Sequence, residues 1–217
     1  MNICKYGNLN EMMMGSKGIK KEEFSMEFKE LVLKNRSYRG YDESRRITRE
    51  ELVDLVDCAR LTPSAMNGQP FSYYLAWEQE QLDIIQPLTK WGAALPQMTL
   101  PHEGKCPTGF IVICQNREIS ENLQQYRTDL GIVAQTMCLG ATAKGLGCCM
   151  IGNFNGATLQ NARGLSEQFF PLLVVAVGKP DEEIIIKEIE KGEPTKYYRD
   201  ENDVHFVPKR KLEDILL

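Results

Sequence analysis

LQQYRTDLGIVAQTMCLGATAKGLGCCMIGNF, residues 123–154, is the longest stretch with a single clear period. Tyr126, Leu130, Val133, Ala134, Met137, Cys138 and Ala141 recur at helical spacing, so the first two-thirds reads as a helix. Gly131, Ala134, Gly140 and Ala141 are small enough to let a neighbouring helix approach closely. CCMIGNF then reads as a strand ending in a turn. Working outward, LLVVAVGKP (172–180) is a buried strand stopped by Gly178 and Pro180, and FIVIC (110–114) is a second buried strand.

Upstream, SYYLAW (72–77) reads as an aromatic-rich strand and QLDIIQPLTKW (81–91) as a short helix. Residues 92–109 form a Gly- and Pro-interrupted loop. A clearer helix precedes them. Thr48 followed by Glu51 fits a capping box; Leu52, Leu55, Val56 and Ala59 give its apolar stripe, and Pro63 stops it. The first organised segment, EFSMEFKELVLKNRS, places Phe24, Phe28, Leu31 and Val32 on one helical face and ends in the basic Lys34, Arg36 and Arg39. Helices outnumber strands in this reading and nothing repeats. The simplest architecture is an α+β sandwich with a small central sheet.

The 217 residues suit one domain, and an apolar share of 42% supplies its core without disulfides. Residues 1–24 read as a loose polar tail without the apolar run of a secretory signal, and residues 25–217 as the single domain. No run of about eighteen apolar residues offers a membrane span. A net charge of -4 argues against nucleic-acid binding, and seven cysteines, an odd number, read as free thiols in a reducing compartment such as the cytoplasm. After residue 180 the chain turns polar. Its end, VHFVPKRKLEDILL, reads as an arm onto a partner subunit or as a surface helix on its own.

No side-chain set for nucleophilic, metal or acid–base chemistry stands out. Only two histidines exist, His102 and His205, which excludes a histidine-rich metal site. His102 and Cys106 lack a second ligand pair, and the adjacent Cys148 and Cys149 point to opposite faces of a strand, as core thiols would. Chemistry without such residues points to a cofactor, with the protein supplying grip. Arg36, Ser37 and Arg39 offer a phosphate clamp if the two arginines share one side of a helical turn; a solvated basic helix end has the same composition. PSAMNGQP (63–70) offers Ser64, Asn67 and Gln69 as donors and acceptors for a heterocycle edge, or a turn that caps the preceding helix. Met150 to Gly152 present backbone N–H groups where glycine permits close approach of a flat ring, and Lys209, Arg210 and Lys211 add positive charge.

Together, NRSYRGYD, PSAMNGQPF, DLGIVAQT leading to GLGCCMIG, VVAVGKP and VPKRKLEDIL resemble the FMN-dependent nitroreductase family, in family order over roughly residues 27–217. The resemblance implies a nitroreductase-like α+β sandwich with a small, mainly antiparallel sheet flanked by helices. It implies a homodimer with FMN at the subunit interface. Carried over, it assigns Arg36, Ser37 and Arg39 to the FMN phosphate and polar ring edge. Pro63, Ser64, Ala65 and Asn67 would reach the cofactor from the other subunit. Met150, Ile151 and Gly152 would lie near flavin N5, and Lys209 and Lys211, with Arg210 as a further candidate, near the phosphate. Two positions depart from the family pattern: Asn35 where arginine is common, and QPF in place of QPW.

The implied activity is ping-pong transfer of hydride from NAD(P)H through the flavin to a nitroaromatic, a quinone or another small acceptor, with no catalytic side chain. The alternatives are a specialised flavin reductase, such as a dehalogenase or enone reductase, and a non-catalytic flavin-binding protein.

Overall fold

The computed structural model describes residues 27–217. Phe24, Cys4 and the tail expected over residues 1–24 lie outside the described residues. The order is α1 (Phe28–Lys34), α2 (Arg49–Arg60), β1 (Phe71–Ala76), α3 (Gln79–Ile85), β2 (Gly109–Asn116), α4 (Arg127–Ala143) and β3 (Gly147–Ile151). α5 (Gly156–Ala162), β4 (Phe169–Gly178), β5 (Ile184–Ile189), β6 (Tyr198–Arg199) and β7 (His205–Arg210) follow. Strands therefore outnumber α-helices among the described residues, reversing the expectation from sequence.

β1, β2, β4 and β3 lie in that order in a four-stranded sheet, every neighbouring pair antiparallel. Strand alternation sends successive side chains to opposite faces. Ile111 and Ile113 of β2, with Val175 and Val177 of β4, pack with Leu52 and Leu55 of α2 and Met137 of α4. Phe110 and Val112, with Val174 and Ala176, pack on the other side with Ile85 of α3 and Leu159 of α5. The sheet is thus covered on both faces, which explains why FIVIC and LLVVAVG are continuous apolar runs. Cys148 and Cys149 divide between these two cores, as their adjacency in a strand requires.

The helix ends follow local chemistry. Thr48 Oγ1 accepts from the Glu51 N–H at 3.2 Å, and Glu51 Oε2 accepts from the Thr48 N–H at 2.9 Å, completing the capping box of α2. α2 lies against α4 where Gly140 faces Leu55; a Cβ there would sit 3.3 Å from Leu55 Cδ2. Gly131, by contrast, faces no neighbour within 4 Å. α5 went unforeseen because seven residues with one buried apolar side chain, Leu159, carry no readable period.

The main departure from expectation is a second sheet. β5, β7 and β6 form a three-stranded ribbon in the order β5-β7-β6, parallel between β5 and β7 and antiparallel between β7 and β6. Residues 205–210 of the expected arm are the middle strand of this chain's own sheet, leaving only residues 211–217 beyond it. The IIIKEI strand was hidden by flanking acidic residues that made the whole crossing read as polar. Among the described residues no helix is long and apolar enough to cross a membrane.

Candidate functional site

The segment after α1 is laid along the edge of the main sheet. Ser37 forms a parallel bridge with Cys148 of β3, and the Tyr38 N–H donates to the Cys148 carbonyl at 3.0 Å. Arg36 and Arg39 are therefore not on a helical turn; they leave an extended strip, and this corrects the expected geometry. The close lie of strip on strand depends on Gly147, where a Cβ would come within 2.4 Å of Tyr38 Cδ2 and 2.7 Å of Pro180 Cγ. Tyr41, fully buried, ties the strip down by donating from its hydroxyl to the Tyr38 carbonyl at 2.8 Å.

A cavity of about 340 Å³ opens beside this strip, within the range of small-molecule sites. The strip contributes Asn35, Arg36, Ser37 and Arg39 to it, α4 contributes Gln135 and Cys138, and β3 contributes Cys148 and Met150. Tyr197, just ahead of β6, and the alternate residues His205, Val207 and Lys209 of β7 close the far wall. Met150 is 37% exposed. Three cations on one wall set favour an anionic ligand.

Neighbours fix most of these groups. Arg36 donates to the Val32 carbonyl at 2.9 Å, and burial lowers its pKa from the ordinary arginine value. The Arg39 guanidinium lies over the Tyr197 ring, 4.7 Å from its centroid, while its backbone N–H donates to Glu182. Glu182 is buried and also pairs with Arg199, whose second nitrogen lies 2.9 Å from Asp203. Burial raises Glu182 from the ordinary glutamate value, against the lowering effect of the Arg39 N–H and of Arg199. His205 is 2% exposed, and neither ring nitrogen has a hydrogen-bond partner among the described residues. Burial, reinforced by Arg39 and Arg199, lowers it to about 4, so the imidazole is neutral at physiological pH.

The adjacent thiols of β3, Cys148 on the cavity side and Cys149 in the opposite core, are held protonated. Cys148 is raised well above its ordinary value by a hydrogen bond with Cys138 and by burial, and Cys149 is pushed up to about 12 by burial. Among the described residues no three His, Cys, Asp or Glu side chains gather into a metal-ligand group; His102 Nε2 instead lies 3.2 Å from Asp203 Oδ2.

The structure thus brings Arg36, Ser37, Arg39, Met150 and Lys209 together. Ile151 follows Met150 but turns its side chain into the core, and Gly152 is exposed with open space where a side chain would be. Lys211 is not brought to the cavity; its Nζ lies 2.6 Å from Glu190 Oε1. Arg210, on the opposite face of β7 from Lys209, is exposed. Sequence reasoning missed Gln135, Tyr197 and His205. Only the alternation of His205, Val207 and Lys209 carried a signal for His205, legible once the segment is read as a strand.

Pro63, Ser64, Ala65 and Asn67 form a separate corner. Asp129 of α4, 4% exposed, accepts from the Ser64 hydroxyl at 2.6 Å and from the Ala65 N–H at 2.9 Å, both through Oδ2. Ser64 Oγ in turn accepts from the Gln69 N–H at 3.0 Å. Between these ties Met66 and Asn67 take φ values of 51° and 53°, and Gln69 47°, all in the left-handed region. Three such non-glycine residues in four positions store backbone strain. Gly68 is packed so closely that a Cβ would meet the Tyr126 hydroxyl at 2.3 Å. The result is a rigid corner with Asn67 exposed and Met66 83% exposed at its tip. Pro63 and Asn67 take no part in the cavity of their own chain.

The model of the nitroreductase family matches residues 32–179. The chain belongs to the nitroreductase family. This nitroreductase-family chain is 26% identical over 180 residues to YodC of Bacillus subtilis, named as an NAD(P)H nitroreductase, with 68% of this chain and 87% of YodC covered. Its fold is that of a solved nitroreductase in complex with FMN from Desulfovibrio desulfuricans, at a TM-score of 0.63 and 21% identity over 86% of this chain and 93% of that one. A second FMN complex, from Exiguobacterium sibiricum, gives a TM-score of 0.60 and 19% identity over 73% of this chain and 90% of that one. The α+β sandwich with an antiparallel central sheet is thereby the fold of the family.

Proposed function

We propose that the protein is an FMN-dependent oxidoreductase, in which NAD(P)H delivers hydride and a small acceptor such as a nitroaromatic or quinone removes it in a second half-reaction. The observation that carries this reading is the convergence of Arg36, Ser37, Arg39, Met150 and Lys209 on one cavity. The donor set suits FMN: three cations for a phosphate, hydroxyl and amide groups for neutral polar edges, and an orphaned buried imidazole. The bound flavin would supply hydride acceptance and release at its N5. The chain's own part is to hold the anionic end through Arg36, Arg39 and Lys209, and to keep the ring against the exposed Met150 edge of β3. Orientation and charge stabilisation then carry catalysis, with no side-chain acid or base required.

The site is completed by a second copy of the chain. α1 has no buried residue, and Phe28 is 71% and Leu33 51% exposed. Met66 and the C-terminal Leu212, Ile215 and Leu216 add exposed apolar surface. In a homodimer the rigid Pro63–Asn67 corner would be offered to the partner's cavity, and residues 211–217 would reach across it. The six described cysteines are all free, which supports a reducing, cytoplasmic setting.

The test is anaerobic titration of the FMN-loaded protein with NADPH and, separately, NADH. The expected result is loss of the flavin absorption with at least one donor and its return on adding a quinone or nitroaromatic. A flavin that stays oxidised with both would leave a flavin-binding protein without this activity.

A further inference from the structure

The basic residues around the second sheet are held in two different ways. Arg199, its side chain 2% exposed, is taken up by the carboxylates of Glu182 and Asp203, and Lys211 is paired with Glu190. A carboxylate holds a cation by occupying its N–H donors and cancelling its charge. Arg39 is held otherwise. Among the described residues its guanidinium is in ion-pair contact with no carboxylate. Its Nη1 donates to the Ser37 carbonyl at 3.2 Å, and the group lies over the Tyr197 ring, 4.7 Å from the centroid.

An aromatic face attracts a guanidinium through its π electrons and leaves both the net charge and the N–H edge available. It also fixes a side chain whose rotamer freedom a ligand would otherwise have to remove on binding. Tyr197 is itself fixed. Its hydroxyl accepts from the Ala94 N–H at 3.3 Å, and its ring meets His205 of β7 edge-on at 5.3 Å between centroids. The adjacent Tyr198 stacks instead on Phe206, 5.1 Å between centroids, and supplies the cross-strand ring pair of the ribbon. Tyr197 precedes β6 and takes no part in its strand pairing. Arg39 and Tyr197 both line the cationic cavity, together with Lys209. The ring thus holds an unspent cation at the place where a ligand would need one.

We infer that Tyr197 is a positioning residue: its ring holds the Arg39 guanidinium at the cavity without neutralising it, so that an anionic ligand meets a cation already in place. This rests on the proposed function for taking FMN as that ligand, and the experiment separates the two. Apo-protein is titrated with FMN, with flavin fluorescence as the readout. Tyr197→Phe keeps the ring and gives up the tie to Ala94; Tyr197→Leu and Tyr197→Met fill the space without a ring. The leucine and methionine variants are expected to bind FMN about three- to tenfold more weakly, and the phenylalanine variant within about twofold of the wild type. The deciding readout is a double-mutant cycle. Once Arg39→Ala has removed the guanidinium, adding Tyr197→Leu should cost less than about twofold more. A ring that only packs on His205 would give the same loss with or without Arg39, and that result would overturn the inference. A phenylalanine variant as weak as the leucine one would overturn it too, by placing the effect in the hydroxyl. So would leucine and methionine variants that bind as tightly as the wild type. Wild-type protein that binds no FMN would overturn the proposed function, and this inference with it.

Discussion

Replacing Asp129 by alanine should loosen the corner that the proposed dimer offers to its partner. Asp129 Oδ2 accepts both the Ser64 hydroxyl and the Ala65 N–H, at 2.6 and 2.9 Å. Hydrogen bonds to a charged acceptor are worth about 1.5–3 kcal/mol each. Ser64 and Ala65 are half-buried, so water re-enters and the two losses do not simply add. About 3 kcal/mol in all is a reasonable magnitude. For a chain of this length that lowers Tm by about 6–12 °C at fixed protein concentration. Asp129→Asn keeps a carbonyl oxygen able to accept both bonds and should cost only about 1 kcal/mol. Without the carboxylate, Met66 and Asn67 are released from their left-handed conformations, and FMN retention should fall with Tm. Thermal melts by circular dichroism and flavin content after gel filtration provide the assay. An alanine variant within about 2 °C of the asparagine variant, with full flavin content, would refute the reasoning.

Three further outcomes are expected. Lowering pH from about 6.5 towards 4 should destabilise the fold, because unfolded His205 takes up a proton that the folded chain resists. The size is on the order of 3 kcal/mol, offset in part by Glu182, whose raised pKa works in the opposite sense. Melts across that range should show the slope, and His205→Gln should flatten it. Gly147→Ala should cost about 1–3 kcal/mol in denaturant melts and weaken FMN binding, since its Cβ would displace Tyr38 and with it the Ser37 strip. Lys211→Ala should leave FMN affinity within about twofold, measured by fluorescence titration, because its ammonium is committed to Glu190 rather than to the cavity.

Much of the fold was legible where one period dominated. The α2 capping box, the α4 stripe and the FIVIC and LLVVAVG strands all stand where the pattern puts them, since burial on one or both faces writes itself into composition. The second sheet was not legible. β5 runs Ile184, Ile185 and Ile186 straight into Lys187 and Glu188 on a partly exposed ribbon, so no alternation marks it, and β6 spans only two residues. The candidate site divides in the same way. Arg36, Ser37, Arg39, Met150 and Lys209 could be singled out by residue type and order, yet their convergence depends on the Ser37–Cys148 bridge and on β7, both long-range pairings. Lys211 shows the limit of reading by composition: three consecutive basic residues look equivalent, but only Lys209 shares the face of His205 and Val207. The partner of Ser64, Asp129, lies 65 positions away, beyond any local rule.

The most direct measurement is an FMN titration of the apo-protein beside the Arg39→Ala/Lys209→Ala double variant, read by flavin fluorescence. The account expects saturable binding of one FMN per chain by the wild type. It expects about a hundredfold weaker binding by the double variant, which lacks two charge-assisted contacts. Binding of equal strength by both proteins would contradict it, as would a wild-type chain that takes up no flavin.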